Sequence, residues 1–170
     1  EKRKVAIKSH ILNSYNLNLD EYEKIHYRIF PLPNLEIKRA TIKVKSSSSR
    51  LNVKNLIIYP KFFSIYNYDN FETSKLILKD NSVILQPSDL KFFINFFLNQ
   101  KNKFLIKNLK ISLKEKDNFI AKLENINFSN YGYNHNLIKG KIFGKKFSAK
   151  ISDNLKIIDF KLLKSGFKTE

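Results

Sequence analysis

The sequence predicts a mainly β protein with a few short helices, an α+β chain whose strongly twisted antiparallel sheet forms an open, taco-like groove. Three observations predict it. Apolar residues alternate with period two over most of the chain from about Leu35 onward. An eight-residue strand pattern recurs. Helical stripes, with apolar residues at i, i+3, i+4 and i+7, are few.

The elements follow in order. Lys4 to Leu12, with Val5, Ile7, Ile11 and Leu12 apolar, reads as a short helix. Tyr15 to Leu19 and Ile25 to Phe30 read as a first hairpin, with Asp20, Glu21 and Glu23 in its solvated turn. Pro31 and Pro33 remove two ladder donors and end it. The repeat then begins, as apolar-x-apolar, Lys or Glu, Asn or Arg, apolar-x-apolar. Its copies are Leu35 to Ile42, Leu51 to Ile58, Phe104 to Ile111 and Ala121 to Phe128, with Phe71 to Leu78 a degenerate fifth. In each copy the apolar parity flips in the middle. A regular strand cannot change phase, so each copy is expected to carry a bulge there.

Between the repeats, Phe62, Phe63 and Ile65 after Pro60 suggest a helical turn. Ser88-Asp89 as N-cap, then Leu90, Phe93, Ile94, Phe97 and Leu98, predicts a helix near residues 88–98. Gly132 marks a turn. Phe147, Ala149 and Ile151 share one parity, whereas Asn154 to Leu163 is apolar on both parities, as in a strand covered on both faces. The expected organisation is one module over 1–170, with the short helix and first hairpin in 1–33 and the bulged strands in 34–170. About nine strands against two or three short helices leave apolar sheet uncovered unless the sheet closes.

Composition narrows the function. A chain of 170 residues, 42% hydrophobic, is large and apolar enough to bury a core, which excludes a disordered basic tail. Cys is absent, which excludes disulfides, thiolate metal sites and a cysteine nucleophile. The net charge of +17 comes from 28 Lys and only 4 Arg, beside 20 Asn and 21 Ile. Phosphate-gripping proteins favour the bidentate fork of Arg. Lys, Asn, Ile, Phe and Tyr all have AT-rich codons, so a coding bias is the expected source of much of this composition, and anionic headgroups or nucleic acid are the partners the charge would suit.

No catalytic or metal-binding constellation emerges. His10, His26 and His135 lie at no metal spacing, Gly132, Gly140, Gly144 and Gly166 form no phosphate loop, and there is no nucleophile elbow. No catalytic residue, metal or cofactor is therefore expected. Lysines and aromatics interleave at Lys61-Phe-Phe-Ser-Ile-Tyr-Asn-Tyr68, a pattern that also suits stacking on single strands, but no nucleic-acid signature accompanies it.

Ile7 to Val44 runs through a short helix, Leu17-Asn-Leu19, an acidic turn and Ile25-His-Tyr-Arg-Ile-Phe-Pro-Leu-Pro-Asn-Leu-Glu-Ile37. This order resembles the membrane-proximal start of the AsmA family of Gram-negative envelope proteins. Phe30-Pro31-Leu32-Pro33 carries the resemblance most specifically, Leu51 to Ile58 is similar to its strand repeats, and Gly140 to Ile151 is compatible with its later strands. Family members are usually much longer, so the chain corresponds to a first module. The resemblance implies a non-enzymatic periplasmic protein that handles phospholipid between inner and outer membranes, tethered to the inner membrane by a segment upstream of Glu1. The chain opens without Met and contains none, as expected if such an anchor has been left out.

An apolar trough suits acyl chains, because each buried methylene contributes about 0.8 kcal/mol. The residues nominated to line it are Ile57, Leu76, Leu105, Leu109, Ile111 and Leu113. Expected partners are phospholipid and the anionic membrane surface, with envelope proteins as a further possibility. The alternatives are a structural or assembly domain pairing its edge strands with another protein, and a basic nucleic-acid-binding module.

Overall fold

Each long strand of this protein is two short strands joined by a kink, and the kinks line up across the sheet. The computed structural model describes residues 2–45, 49–65, 70–152, 157–163 and 167–169. In order these form α1 (Lys2–Tyr15), β1 (Leu17–Glu21), β2 (Lys24–Arg28), β3 (Asn34–Val44), β4 (Arg50–Pro60), a 3-10 turn (Phe62–Ile65) and β5 (Thr73–Leu85). There follow α2 (Pro87–Leu98), β6 (Phe104–Glu115), β7 (Asn118–Ser129), β8 (Leu137–Ile142), β9 (Lys145–Ile151), β10 (Ile158–Leu162) and β11 (Lys168–Thr169). One open sheet contains all eleven strands, in the order β1-β3-β4-β5-β6-β7-β8-β9-β10-β11, with β2 beside β3. The α+β class and the groove-like, unclosed sheet are as the sequence predicts.

The bulges sit where the repeat changes parity. Arg39, Asp80, Asn108 and Asn125 all have positive φ, between 47° and 55°. One left-handed residue turns the strand so that two successive side chains point outward and the same face stays inward. Thus Leu35 and Ile37 before Arg39, and Ala40, Ile42 and Val44 after it, are all buried. The same holds for Phe104 and Ile106 before Asn108, and Leu109 and Ile111 after it. In β4, Leu51 and Val53 and then Leu56 and Ile58 keep the same face. Registers align the kinks: Lys38 pairs with Asn55, Asn55 with Lys79, and Lys79 with Lys107.

Asn and Asp tolerate the left-handed region because their short polar side chains bond locally. Here they also bond across strands. Asn108 Nδ2 donates to Asp80 Oδ1 at 2.6 Å, and Asn81 Nδ2 donates to the Lys107 carbonyl at 3.1 Å. Asn127 Oδ1 accepts from the Asn108 amide while its Nδ2 donates to the Asn125 carbonyl. Backbone groups that a bulge takes out of the ladder are thereby satisfied. Arg39 has no such local chemistry, and its guanidinium pairs instead with Glu23.

Several expectations are corrected. β1 and β2 are not a hairpin: both run antiparallel to β3, β1 along Thr41 to Val44 and β2 along Asn34 to Lys38. The acidic residues between them occupy the break in this edge, where Asp20 pairs with Lys43 and Glu23 with Arg39. Tyr15 belongs to α1, which is longer at both ends than the apolar pattern indicates. The sheet is not wholly antiparallel, because β5 and β6 are parallel. Parallel neighbours require a crossover, and α2 is that crossover. Its N-cap is Gln86, with Pro87 in the first turn, rather than Ser88-Asp89. Ile157, Ile158 and Leu163 are each about half exposed, so β10 is not covered on both faces. Residues 153–156 of that run lie outside the described residues.

Both helices pack on the inner face. Ile7, Ile11 and Tyr15 of α1 are fully buried, and Tyr15 bonds Thr73 at 2.8 Å. Phe104 at the start of β6 meets both helices, with ring centroids 6.3 Å from Tyr15 and 5.5 Å from Phe97. Gln100 and Asn102 donate to the Tyr15 and Ser14 carbonyls, and Asn130 donates to the carbonyls of both residues. This pins the end of the crossover to α1. Among the described residues no helix is long and apolar enough to cross a membrane.

Asn108→Val forces a β-branched residue into the left-handed region and removes the Asp80 bond. It should destabilise the protein by about 2 kcal/mol in urea unfolding, whereas Asn108→Gly should cost less than half as much. Equal losses would show that backbone handedness is not what the position requires.

His10 supplies a pH dependence. Its imidazole sits against Phe71, bonds Thr73 Oγ1 at 3.0 Å, and burial holds its pKa below the usual 6.5, opposed by Glu72 and reinforced by Lys61. The unfolded chain then binds a proton more readily than the folded one. Stability is full above about pH 6.5 and falls as pH drops through the folded pKa. The midpoint of thermal unfolding should therefore decline between pH 7 and 5, and His10→Gln should flatten that decline.

Candidate functional site

The first half of the sheet is packed directly beneath the helices, whereas the second half leaves a cavity between itself and α2. Ile37, Leu56 and Leu78 on the inner face of β3, β4 and β5 are fully buried beneath the helices. Across the rest of the sheet the cover is uneven: Phe147, Ala149 and Ile151 on β9 are buried, Ile138 and Ile142 on β8 are half-buried, and Ile158 on β10 is 47% exposed. α2 packs chiefly on β5 and β6. Beyond it, the curved floor of β6 to β10 encloses a cavity of about 240 Å³.

The roof of this chamber is the apolar stripe of α2: Leu90, Phe93, Ile94, Phe97 and Leu98. The floor begins with Ile106, Leu109 and Ile111 of β6, and continues through Leu123, Ile126 and Phe128 of β7. Phe147, Ala149 and Ile151 of β9, with Ile158 and Phe160 of β10, form the far wall. Phe93 and Phe97 meet edge to face at 4.6 Å, and Phe147 stacks on Phe160 at 5.5 Å. Gly140 on β8 faces the bulge of β7. A Cβ there would lie 2.9 Å from Phe147 and 3.1 Å from Ile126, so the lack of a side chain lets these two walls close together.

No lining side chain carries a titratable or hydrogen-bonding group. The chamber offers no nucleophile, acid, base or ligand atom, and what it can do chemically is exclude water from an apolar guest. Apolar cavities of about 150 Å³ already stay dry and accept benzene, while drug-sized pockets start near 300 Å³. A space of about 240 Å³ therefore fits part of a hydrocarbon chain rather than a whole phospholipid. Among the described residues no group of three His, Asp or Glu is placed to hold a metal.

The structure brings together some of the nominated residues and separates others. Leu109 and Ile111 line the chamber. Leu113 faces the same side and packs half-buried against the core, while Leu76 is fully buried in the core itself. Leu105 and Ile57 are corrections, since both lie on the opposite, outer face. Leu105 shares parity with Leu109, but the left-handed residue Asn108 stands between them and reverses the face. There Ile57, Ile77 and Leu105 form a cross-strand row. The residues missed include the α2 stripe and Phe147, Ala149 and Ile151, besides Ile106 of β6 and the lining residues of β7, β8 and β10. The first two sets were visible as apolar stripes; nothing in a stripe distinguishes the wall of a cavity from filled core.

Comparison with family models, with curated proteins and with solved structures finds no match.

Proposed function

We propose that the chain is a non-enzymatic lipid-handling module of the bacterial envelope that holds a phospholipid acyl chain in the chamber beneath α2. The observation that carries this reading is the unbroken apolar lining from Leu90 to Phe160, roofed by a single helix and bounded at β10 by the half-exposed Ile158. Such a surface favours hydrocarbon and has no directional groups with which to select a polar ligand. Burying about ten methylenes would contribute roughly 8 kcal/mol before ordering costs, enough for retention without headgroup contacts. The resemblance of Ile7 to Val44 to the AsmA family supports the same reading and suggests the periplasm, with transfer between inner and outer membranes as the process served.

A second reading is favoured by a specific observation. Ile157, Ile158, Leu163 and Phe167 beside the terminal strands are about half exposed, and β11 is only two residues long. An assembly domain that extends its sheet with a partner strand would cover them.

Native mass spectrometry of the protein purified from a bacterial host should show a phospholipid adduct. Ala149→Trp, which places a large ring in the chamber floor, should reduce occupancy by tenfold or more (about 1.4 kcal/mol for each tenfold) while thermal unfolding stays cooperative. A wild-type protein that carries no lipid and takes up none from vesicles would refute the acyl-chain reading.

A further inference from the structure

Four connections meet at one end of the sheet: residues 29–33 between β2 and β3, 61–65 and 70–72 between β4 and β5, 99–103 between α2 and β6, and 130–136 between β7 and β8. Leu32, Tyr59, Phe62, Lys75, Lys103 and Tyr131 line one shallow hollow there, which places these connections side by side. At this end the sequence sets large apolar side chains outward. Ile29 is 85% exposed, Phe30 88% and Phe63 83%, and Leu32, Phe62 and Tyr133 also stand in solvent. Phe62 and Phe63 meet edge to face at 5.6 Å and form one protruding aromatic pair. Scattered single exposures need no explanation, but a cluster from several connections does.

The cations beside the cluster decide what it suits. Lys75, Lys101 and Lys103 are exposed or half-exposed, and the nearby carboxylate of Glu72 is already engaged by Lys61 at 2.6 Å. The apolar groups come from different connections, and lysines stand beside them. Aromatic tips ringed by lysine match the chemistry of an anionic lipid surface, where apolar groups enter the boundary of headgroup and acyl chain to a depth of about 5–10 Å.

We propose that this end of the sheet is a membrane-docking edge, which inserts Phe30, Leu32 and the Phe62–Phe63 pair into an anionic bilayer with Lys75, Lys101 and Lys103 against the headgroups. The strand ends next to it carry chamber residues: Ile106, Phe128, Ile151 and Ile158 all lie within three residues of these or the β9–β10 connection. Docking at this edge brings the chamber close to the lipid surface. The proposal goes beyond the acyl-chain reading and stands without it.

The test is cosedimentation with vesicles of phosphatidylcholine, with and without phosphatidylglycerol at about a third of the lipid. The protein should bind the anionic vesicles and bind neutral ones far more weakly. Phe30→Ser with Phe63→Ser should weaken binding by tenfold or more, and Lys103→Gln about fivefold. Phe143→Ser, equally solvent-exposed in the β8–β9 turn at the opposite end, should change nothing. All these side chains lie on the surface, and circular dichroism of each variant is the check that it folds. Unchanged binding by the double variant, or an equal loss with Phe143→Ser, overturns the proposal. So does a double variant that abolishes self-association of a protein that binds no vesicles, since the patch is then an interface between copies. Ala149→Trp should leave vesicle binding intact. Failure of lipid retention with docking intact would remove the acyl-chain reading alone.

Discussion

Side chains on a strand alternate between faces, and a strand longer than a few residues can reset that alternation only by adding one residue out of phase. This constraint governs the molecule. Arg39, Asp80, Asn108 and Asn125 each supply the extra residue in the left-handed region, and their alignment turns local kinks into a seam across the sheet. Without it, Leu109 and Ile111 would point outward and the inner face would lose half its apolar residues. Neighbouring strands kinked at the same level can stay paired, and the asparagine side chains take up the backbone groups that the kinks release.

The second determinant is the one parallel strand pair among the described residues, β5 with β6. Had β6 followed β5 through a tight turn, the chain would have needed no helix there. Because β6 runs parallel to β5, the chain must return along the length of the sheet, and it does so as α2 on the inner face. One crossover gives one helix, which roofs β5 and β6 but cannot reach β10. The chamber is the space left where a curved floor extends past its roof. Its apolar character follows from the same bulge seam, which keeps Leu109, Ile111, Ile126 and Phe128 facing inward.

Much of this was legible in the sequence. The repeats, their mid-strand parity change and the helix near 88–98 follow from periodicity alone, because burial on one face writes a period of two or 3.6. The site was legible only in part. Leu105 was grouped with Leu109, since counting parity through Asn108 ignores a residue that reverses it. The false hairpin at Asp20 to Glu23 has a similar cause: two short strands flanking an acidic turn look the same whether they pair with each other or lie end to end along a third. Pairing partners are long-range facts that local pattern does not encode. The parallel register of β5 and β6 belongs to the same class, although the 18 residues between Leu85 and Phe104 were a hint that no tight turn joins them.

The composition can now be divided. That Asn and Lys are common does not explain where they stand. Asn81, Asn108, Asn125 and Asn127 serve the bulge seam, Asn102 ties the end of the crossover to α1 while Asn130 holds that segment from the β7–β8 connection, and Asn16 and Asn136 make left-handed turns at strand starts. Many of the lysines occupy the outer face, where Lys24 and Lys38 pair directly and Lys79 pairs with Lys107. Like charges facing each other across strands weaken a sheet, so this row costs stability that the buried face must offset. The composition offers residues, and the fold sorts them: the amide that tolerates left-handed backbone goes to the kinks, and the long cation goes where its stem covers the sheet and its charge stays wet. The charge of +17 is thus a property of the outer face and the loop ends, while the inner face is left to hydrocarbon.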